Sequence, residues 1–161
     1  MNRIVSNDEF FDLMIPMLNS GKTVKMKAKG RSMLPLIRNM YDNVVLKSVK
    51  DTSLHINDIV LFRNPISNNY VLHRIIKIQG EKFIIRGDGN AYNKEICTLK
   101  DISGYVDEIQ RVKGKTKSHI IRRDSTEWRM WIIASHFYRF LLKVYITLVM
   151  PIKRRIMTPD K

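Results

Sequence analysis

The chain is expected to be mainly β: an antiparallel, curled or barrel-like β-domain with a short N-terminal helix and a C-terminal amphipathic helix. Two patterns carry this expectation. Between Thr23 and Val112, short runs of strand-forming residues are separated by Asn, Pro, Ser and Gly turns, with no long helical pattern between them. At either end, the apolar spacing changes to the period of a helix. With 161 residues, 44% of them hydrophobic, this is one domain's worth of chain, long enough to bury about two-thirds of its unfolded surface.

The elements follow in order. Ser6 and Glu9 form a capping box, and Phe10, Leu13, Met14 and Met17 recur at helical spacing, so a helix is expected from Asn7 to about Asn19, stopped by Asn19-Ser20-Gly21. Acidic residues interrupt this N-terminal stretch, which therefore does not read as a secretory signal. From Thr23 the period becomes two: Val24, Met26 and Ala28 alternate with Lys25, Lys27 and Lys29, giving a strand with one buried and one wet face. Further strands are expected at Asn43 to Ser48, Asp58 to Arg63, Tyr70 to Ile78, Lys82 to Arg86 and Gly104 to Val112. Asn64-Pro65 to Asn69 and Gln79-Gly80 read as hairpin connections. The domain is thus drawn as 1–112, followed by a basic, polar connection over 113–125 and a basic helix and tail over 126–161.

In that last segment, Asp124 or Ser125 caps a helix running from about Thr126 to Met150 and ended by Pro151. Arg129, His136, Arg139 and Lys143 fall within about 80° of one another on an otherwise wide apolar helix. A spanning helix needs about 20 mostly apolar residues, and the longest uncharged run here is the nine residues from Val144 to Ile152. Lying in the membrane interface is therefore expected over a simple span. Trp128, Trp131 and Tyr145 suit that depth, and Lys153-Arg154-Arg155 suit an anionic surface. The other reading is a helix that covers the sheet or dimerises.

Charge points the same way. Against 15 Asp and Glu stand 29 Lys and Arg, a net +14 that calls for an anionic partner such as lipid headgroups or nucleic acid. The basic residues are scattered and no helix-turn-helix pattern is visible, which makes nucleic acid the weaker choice. The single cysteine, Cys97, excludes an internal disulfide. His55, His119 and His136 show no metal-ligand spacing, and Gly87 and Gly89 alone do not make a phosphate loop, so neither a metal nor a cofactor is expected.

Three short stretches carry chemistry: Gly30-Arg31-Ser32-Met33-Leu34-Pro35, Val71-Leu72-His73-Arg74-Ile75 and Ile85-Arg86-Gly87-Asp88-Gly89-Asn90. Each sets a serine, a histidine or a carboxylate at the edge of a strand-like run, in the order Ser32, His73, Asp88. A serine hydroxyl is a poor nucleophile at neutral pH. It needs a base within hydrogen-bond reach, and usually a third group orienting that base.

This ordered set resembles the type I signal peptidase family, closest to the branch with a histidine base, over about Val24 to Val106. The resemblance implies a serine endopeptidase that cleaves leader or signal-like peptides at or near a membrane. It further implies Ser32 as nucleophile, with its own N–H stabilising the oxyanion, and His73 as base. Gly30, Met33 and Pro35 would shape the cleft. Gly30 stands where many relatives carry a hydroxyl as second oxyanion donor, and Ala91-Tyr92-Asn93-Lys94-Glu95 lacks the second aspartate of the endoplasmic-reticulum type. The third member is left open between Asp88, Glu95 and a bare Ser/His pair. The reading from a different class is a non-catalytic basic module, binding nucleic acid or another anion on a peptidase-like β-fold.

Overall fold

A computed structural model of the chain describes residues 7–50, 52–113 and 117–151. Helix α1 (Asn7–Asn19) leads into β1 (Val24–Lys27), β2 (Asp42–Lys47), β3 (Ile59–Arg63), β4 (Tyr70–Gln79), β5 (Lys82–Arg86) and β6 (Glu95–Thr98). A short 3-10 turn (Leu99–Asp101) then joins β7 (Ile102–Lys113), β8 (Lys117–Arg122) and α2 (Thr126–Val144), and α2 runs on into a π-helical turn (Tyr145–Val149). The expected α1 and the six expected strands are all present, so the mainly β class holds. Ser6, half of the expected capping box, and the basic tail Lys153-Arg154-Arg155 lie outside the described residues.

All eight strands join one antiparallel sheet in the order β1-β2-β7-β3-β4-β5-β6, with β8 on β7. Register shifts interrupt β2–β7 at Val45/Leu46, β3–β7 at Leu61/Phe62 and β4–β5 at Ile75/Lys77. Bulges of this kind bend a strand and sharpen its twist, and here the sheet curls into a half-barrel. The central β3 shows why: Ile59, Val60, Leu61 and Phe62 are all buried, so both of its faces are covered. Ile59 and Leu61 join one core with Met14 and Leu18 of α1 and Trp128 of α2. Val60 and Phe62 join a second with Ile75, Ile85, Cys97 and Tyr105.

Two strands depart from the sequence expectation. Lys117–Arg122, drawn as part of a basic connection, is β8, paired with β7 from Glu108↔Arg122 to Lys113↔Lys117. Its apolar signal is only Ile120-Ile121, and Ile121 alone is buried, so the pairing partner rather than the composition makes it a strand. β6 has four residues, of which Cys97 alone is buried.

Helix α2 starts as expected, with Ser125 Oγ accepting from the Trp128 N–H. The stretch Thr126–Val149 is long and apolar enough to cross a membrane by length and composition, and little of it is buried against the domain. Its inner face is mixed, with Trp128, Trp131 and Ile132 packed on the first core in its first half and polar residues buried further along. Trp128, Ser135 and Arg139 face the domain, whereas Met130, Ile133, Phe137, Phe140, Leu141 and Leu148 are exposed. The expected cationic stripe is split: Arg129, His136 and Lys143 stay outside, and Arg139 turns inward.

Asp42 fastens β2 beneath the turn that carries Ser32. Burial raises its carboxyl, but hydrogen bonds from Arg38 and the nearby charge of Arg111 outweigh burial and hold it below the usual carboxylate range. Because the folded-state value is the lower one, this contribution is complete above about pH 4, the value for an unfolded Asp, and is lost as pH falls through the folded value. Asp42→Asn should therefore be less stable than wild type at pH 7, with the gap closing toward pH 2.5 in urea unfolding. A gap that stays constant over that range contradicts the pairing.

Candidate functional site

Ser32 sits in a tight turn just past β1. Gly30 adopts φ +106°, a left-handed value that favours glycine, and its N–H donates to Asn39 Oδ1 at 2.9 Å. Beyond the serine, the Ile37 N–H donates to the Met33 carbonyl at 2.9 Å, and Met33, Leu36 and Ile37 are buried in the first core. The turn is thus nailed down on its C-terminal side, while Ser32 stays half-buried at the rim of a groove.

That groove has a volume of about 440 Å³. Its walls are Lys25 to Gly30 on one side and Tyr70 to Leu72 on the other, with Phe10 and Phe11 of α1 also lining it. Ser32 and Met33 join the lining and Pro35 does not. Both walls offer a strand edge without a partner among the described residues. β1 pairs only with β2, and β4 meets β5 only from Arg74 onward, leaving Tyr70 to His73 open on that side.

His73 follows Leu72 directly at the end of the groove. It pairs with Val60 of β3, lies 6.0 Å from the Phe62 ring between centroids, and is 3% exposed. Its Nδ1 is 2.7 Å from Glu95 Oε2. The sheet explains the reach: Ile75, Ile85 and Glu95 form one row across β4, β5 and β6, and His73 is two residues from Ile75. A carboxylate beside Nδ1 accepts a hydrogen bond from its N–H, which fixes the proton on Nδ1 and leaves the Nε2 lone pair free to accept. Nε2 is buried and has no hydrogen-bond partner.

The loop after β5 brings Ser32 and His73 together. The Gly89 N–H donates to the Ser32 carbonyl at 2.7 Å. A side chain at Gly87 would collide with that same carbonyl oxygen and come within 2.9 Å of His73 Nε2. A side chain at Gly89 would meet the Arg31 carbonyl at 2.6 Å. Both glycines are therefore set by close backbone approach, and Ser32 and His73 converge on Gly87. Ser32 Oγ does not itself bond Nε2 in this arrangement.

Asp88 points elsewhere. It is fully buried and receives Arg74 Nε at 2.9 Å and Nη2 at 2.6 Å, Ser135 Oγ at 3.0 Å and Arg139 Nη1 at 3.3 Å. Of the two carboxylates considered as third member, Glu95 is the one on the imidazole, and Asp88 ties the loop to β4 and α2. Sequence reading named neither Arg74 nor the Ser135 and Arg139 pair as partners of Asp88. The available signal was a serine and an arginine at i, i+4 spacing on a largely apolar helix.

Among the described residues, no group of three His, Cys, Asp or Glu is placed to hold a metal ion. His119 pairs with Glu127, and His136 Nδ1 lies 2.7 Å from the Ile132 carbonyl. Burial, with Asp101 and Glu95 nearby, pushes the Cys97 thiol up to about 12, so it stays protonated and unreactive at neutral pH. Comparison with protein-family models and with curated proteins finds no match to this chain.

Removing one partner of a buried ion pair leaves an uncompensated charge, at a cost of about 3–5 kcal/mol. Asp88→Asn should lower the unfolding free energy by about that amount in urea titration, since Arg74 and Arg139 then lack their carboxylate. A loss under about 1 kcal/mol would show that the cluster does not hold the loop.

Proposed function

We propose that the chain is a serine endopeptidase resembling signal peptidase, cleaving leader or signal-like peptides at a membrane surface. The observation that carries this reading is the His73 imidazole: Glu95 on Nδ1, a free buried Nε2, and Ser32 gathered to the same glycine. In the proposed reaction, Ser32 Oγ attacks the scissile carbonyl carbon as its proton passes to His73 Nε2. The Ser32 N–H donates to the developing oxyanion. His73 then protonates the leaving amine, and water hydrolyses the ester by the same route in reverse. The Ser32 Oγ to Nε2 hydrogen bond belongs to the substrate complex, where such contacts tighten.

The groove supports an extended substrate, because an added strand pairs with an open edge and its alternate side chains fill pockets. The open edges of β1 and of Tyr70 to His73 provide that setting. Lys25, Lys27 and Lys29 in the wall favour acidic groups in the bound segment or an anionic surface beside it. The exposed apolar side of α2, flanked by Arg129 and Lys143, supports docking in the interface of an anionic membrane, with the domain still in water.

The test is cleavage, by the full chain in anionic liposomes, of a peptide with an apolar run and an Ala-x-Ala end. Ser32→Ala and His73→Ala should each reduce the rate by at least about a thousandfold. Glu95→Gln should lower kcat by about 10²–10⁴ with little effect on KM, because the imidazole loses its preferred tautomer and general-base catalysis is worth that much. If the wild type and all three variants are folded and equally inert across a broad peptide set, the hydrolase reading fails. The basic module that binds nucleic acid or another anion then takes its place.

A further inference from the structure

Arg74 of β4 and Arg86 of β5 stand directly opposite each other in register. Directly opposed side chains leave the same face of a sheet, where like charges repel. Helix α2 lays a third guanidinium, Arg139, against this pair, and Arg139 is only 4% exposed. Among the described residues, Asp88 is the carboxylate paired with Arg74 and Arg139, and no ion pair joins it to Arg86. Asp88 takes both available nitrogens of Arg74, the Ser135 hydroxyl and one nitrogen of Arg139.

Two buried donors are left over: Arg139 Nη2 and Arg86 Nε have no partner among the described residues. The crowding is felt electrostatically, since burial, Arg86 and Arg74 together push the Arg139 guanidinium below its ordinary value despite Asp88. Buried polar groups are nearly always paired, and buried donors without acceptors in a region of excess positive charge mark a place for an anion.

We propose that the Arg74–Arg86–Arg139 cluster is an anion site that takes a phosphate group, whose oxygens accept from Arg86 Nε and Arg139 Nη2. The phosphate comes from a lipid headgroup or from solution. The lipid source is included because the helix that carries Arg139 also exposes apolar residues. The site itself does not depend on the peptidase reading.

The experiment uses the full chain as wild type, Arg86→Gln and Arg129→Gln. Arg86 is half-buried, and its removal relieves the Arg74 repulsion, so this variant keeps the fold. Arg129 is an exposed cation on the same helix as Arg139 and reports general electrostatics. Binding is measured to inorganic phosphate against chloride at equal ionic strength. It is also measured to phosphatidylcholine vesicles carrying either phosphatidic acid or oleate at matched surface charge.

Saturable binding of inorganic phosphate that weakens about tenfold or more in Arg86→Gln, and not in Arg129→Gln, establishes the site with solution phosphate as a ligand. A preference for phosphatidic acid over oleate, lost in Arg86→Gln alone, assigns the headgroup. Equal losses in the two variants, or none in Arg86→Gln, overturn the proposal. Because binding is read directly, wild type that binds phosphate yet cleaves no peptide sinks only the peptidase reading, and wild type that binds no phosphate overturns this site whatever it cleaves.

Discussion

A carboxylate with no access to water is stable in a fold only if cations and hydrogen-bond donors surround it, and Asp88 is such a carboxylate. Its donors come from β4 and from α2, more than forty residues further along the chain. That requirement locates the loop 87–90. Once Asp88 is turned into the Arg74 fork, Gly87 and Gly89 are pressed onto the backbone of Arg31 and Ser32, and His73, next to Arg74 on the same strand, closes on Gly87 as well. The convergence of Ser32 and His73 therefore follows from the Asp88 contact, although Asp88 touches neither side chain. Glu95 has a separate origin, in the row of cross-strand neighbours that reaches β6.

The same contact gives α2 its orientation. Helices on water-soluble domains turn apolar faces inward, and the first half of α2 does so through Trp128, Trp131 and Ile132, but further along Ser135 and Arg139 face the domain while Phe137 and Phe140 face outward. With part of the inner face committed to Asp88, the apolar residues Phe137 and Phe140 remain exposed on the outer side. Lys143 still lies over the Tyr92 ring, 5.6 Å from its centroid, so the helix follows the domain beyond Arg139 rather than leaving at once. This packing joins the surface proposed to meet a membrane to the loop that shapes the candidate site.

Much of the fold was legible because it is written in local pattern. The Lys25, Lys27, Lys29 alternation marks β1, and the run Ile59 to Phe62 marks a strand buried on both faces. The three sequence boxes were legible as boxes, and the structure gathers them into one region. What local pattern does not contain is the direction of each carboxylate. Gly-Asp-Gly-Asn announces a turn with an acid in it, and its partners Arg74, Ser135 and Arg139, all distant in sequence, decide where the acid turns. Glu95 begins a four-residue strand whose pairing with β5, not its composition, lifts it to His73. Arg139 likewise looks like one more member of a cationic stripe until the tertiary contact selects it. β8 was missed for the same reason, since its strand character depends on β7.

The central claim is that Glu95 holds His73 as the Nδ1–H tautomer, with Nε2 free to accept the proton of Ser32. Nitrogen-15 NMR of the imidazole, in wild type and Glu95→Gln at a pH where the ring is neutral, tests this most directly. The account predicts a protonated, strongly hydrogen-bonded Nδ1 and a bare Nε2 in the wild type, with that preference weakened in Glu95→Gln. A wild-type ring carrying its proton on Nε2 would contradict it, because that nitrogen could not then act as the base.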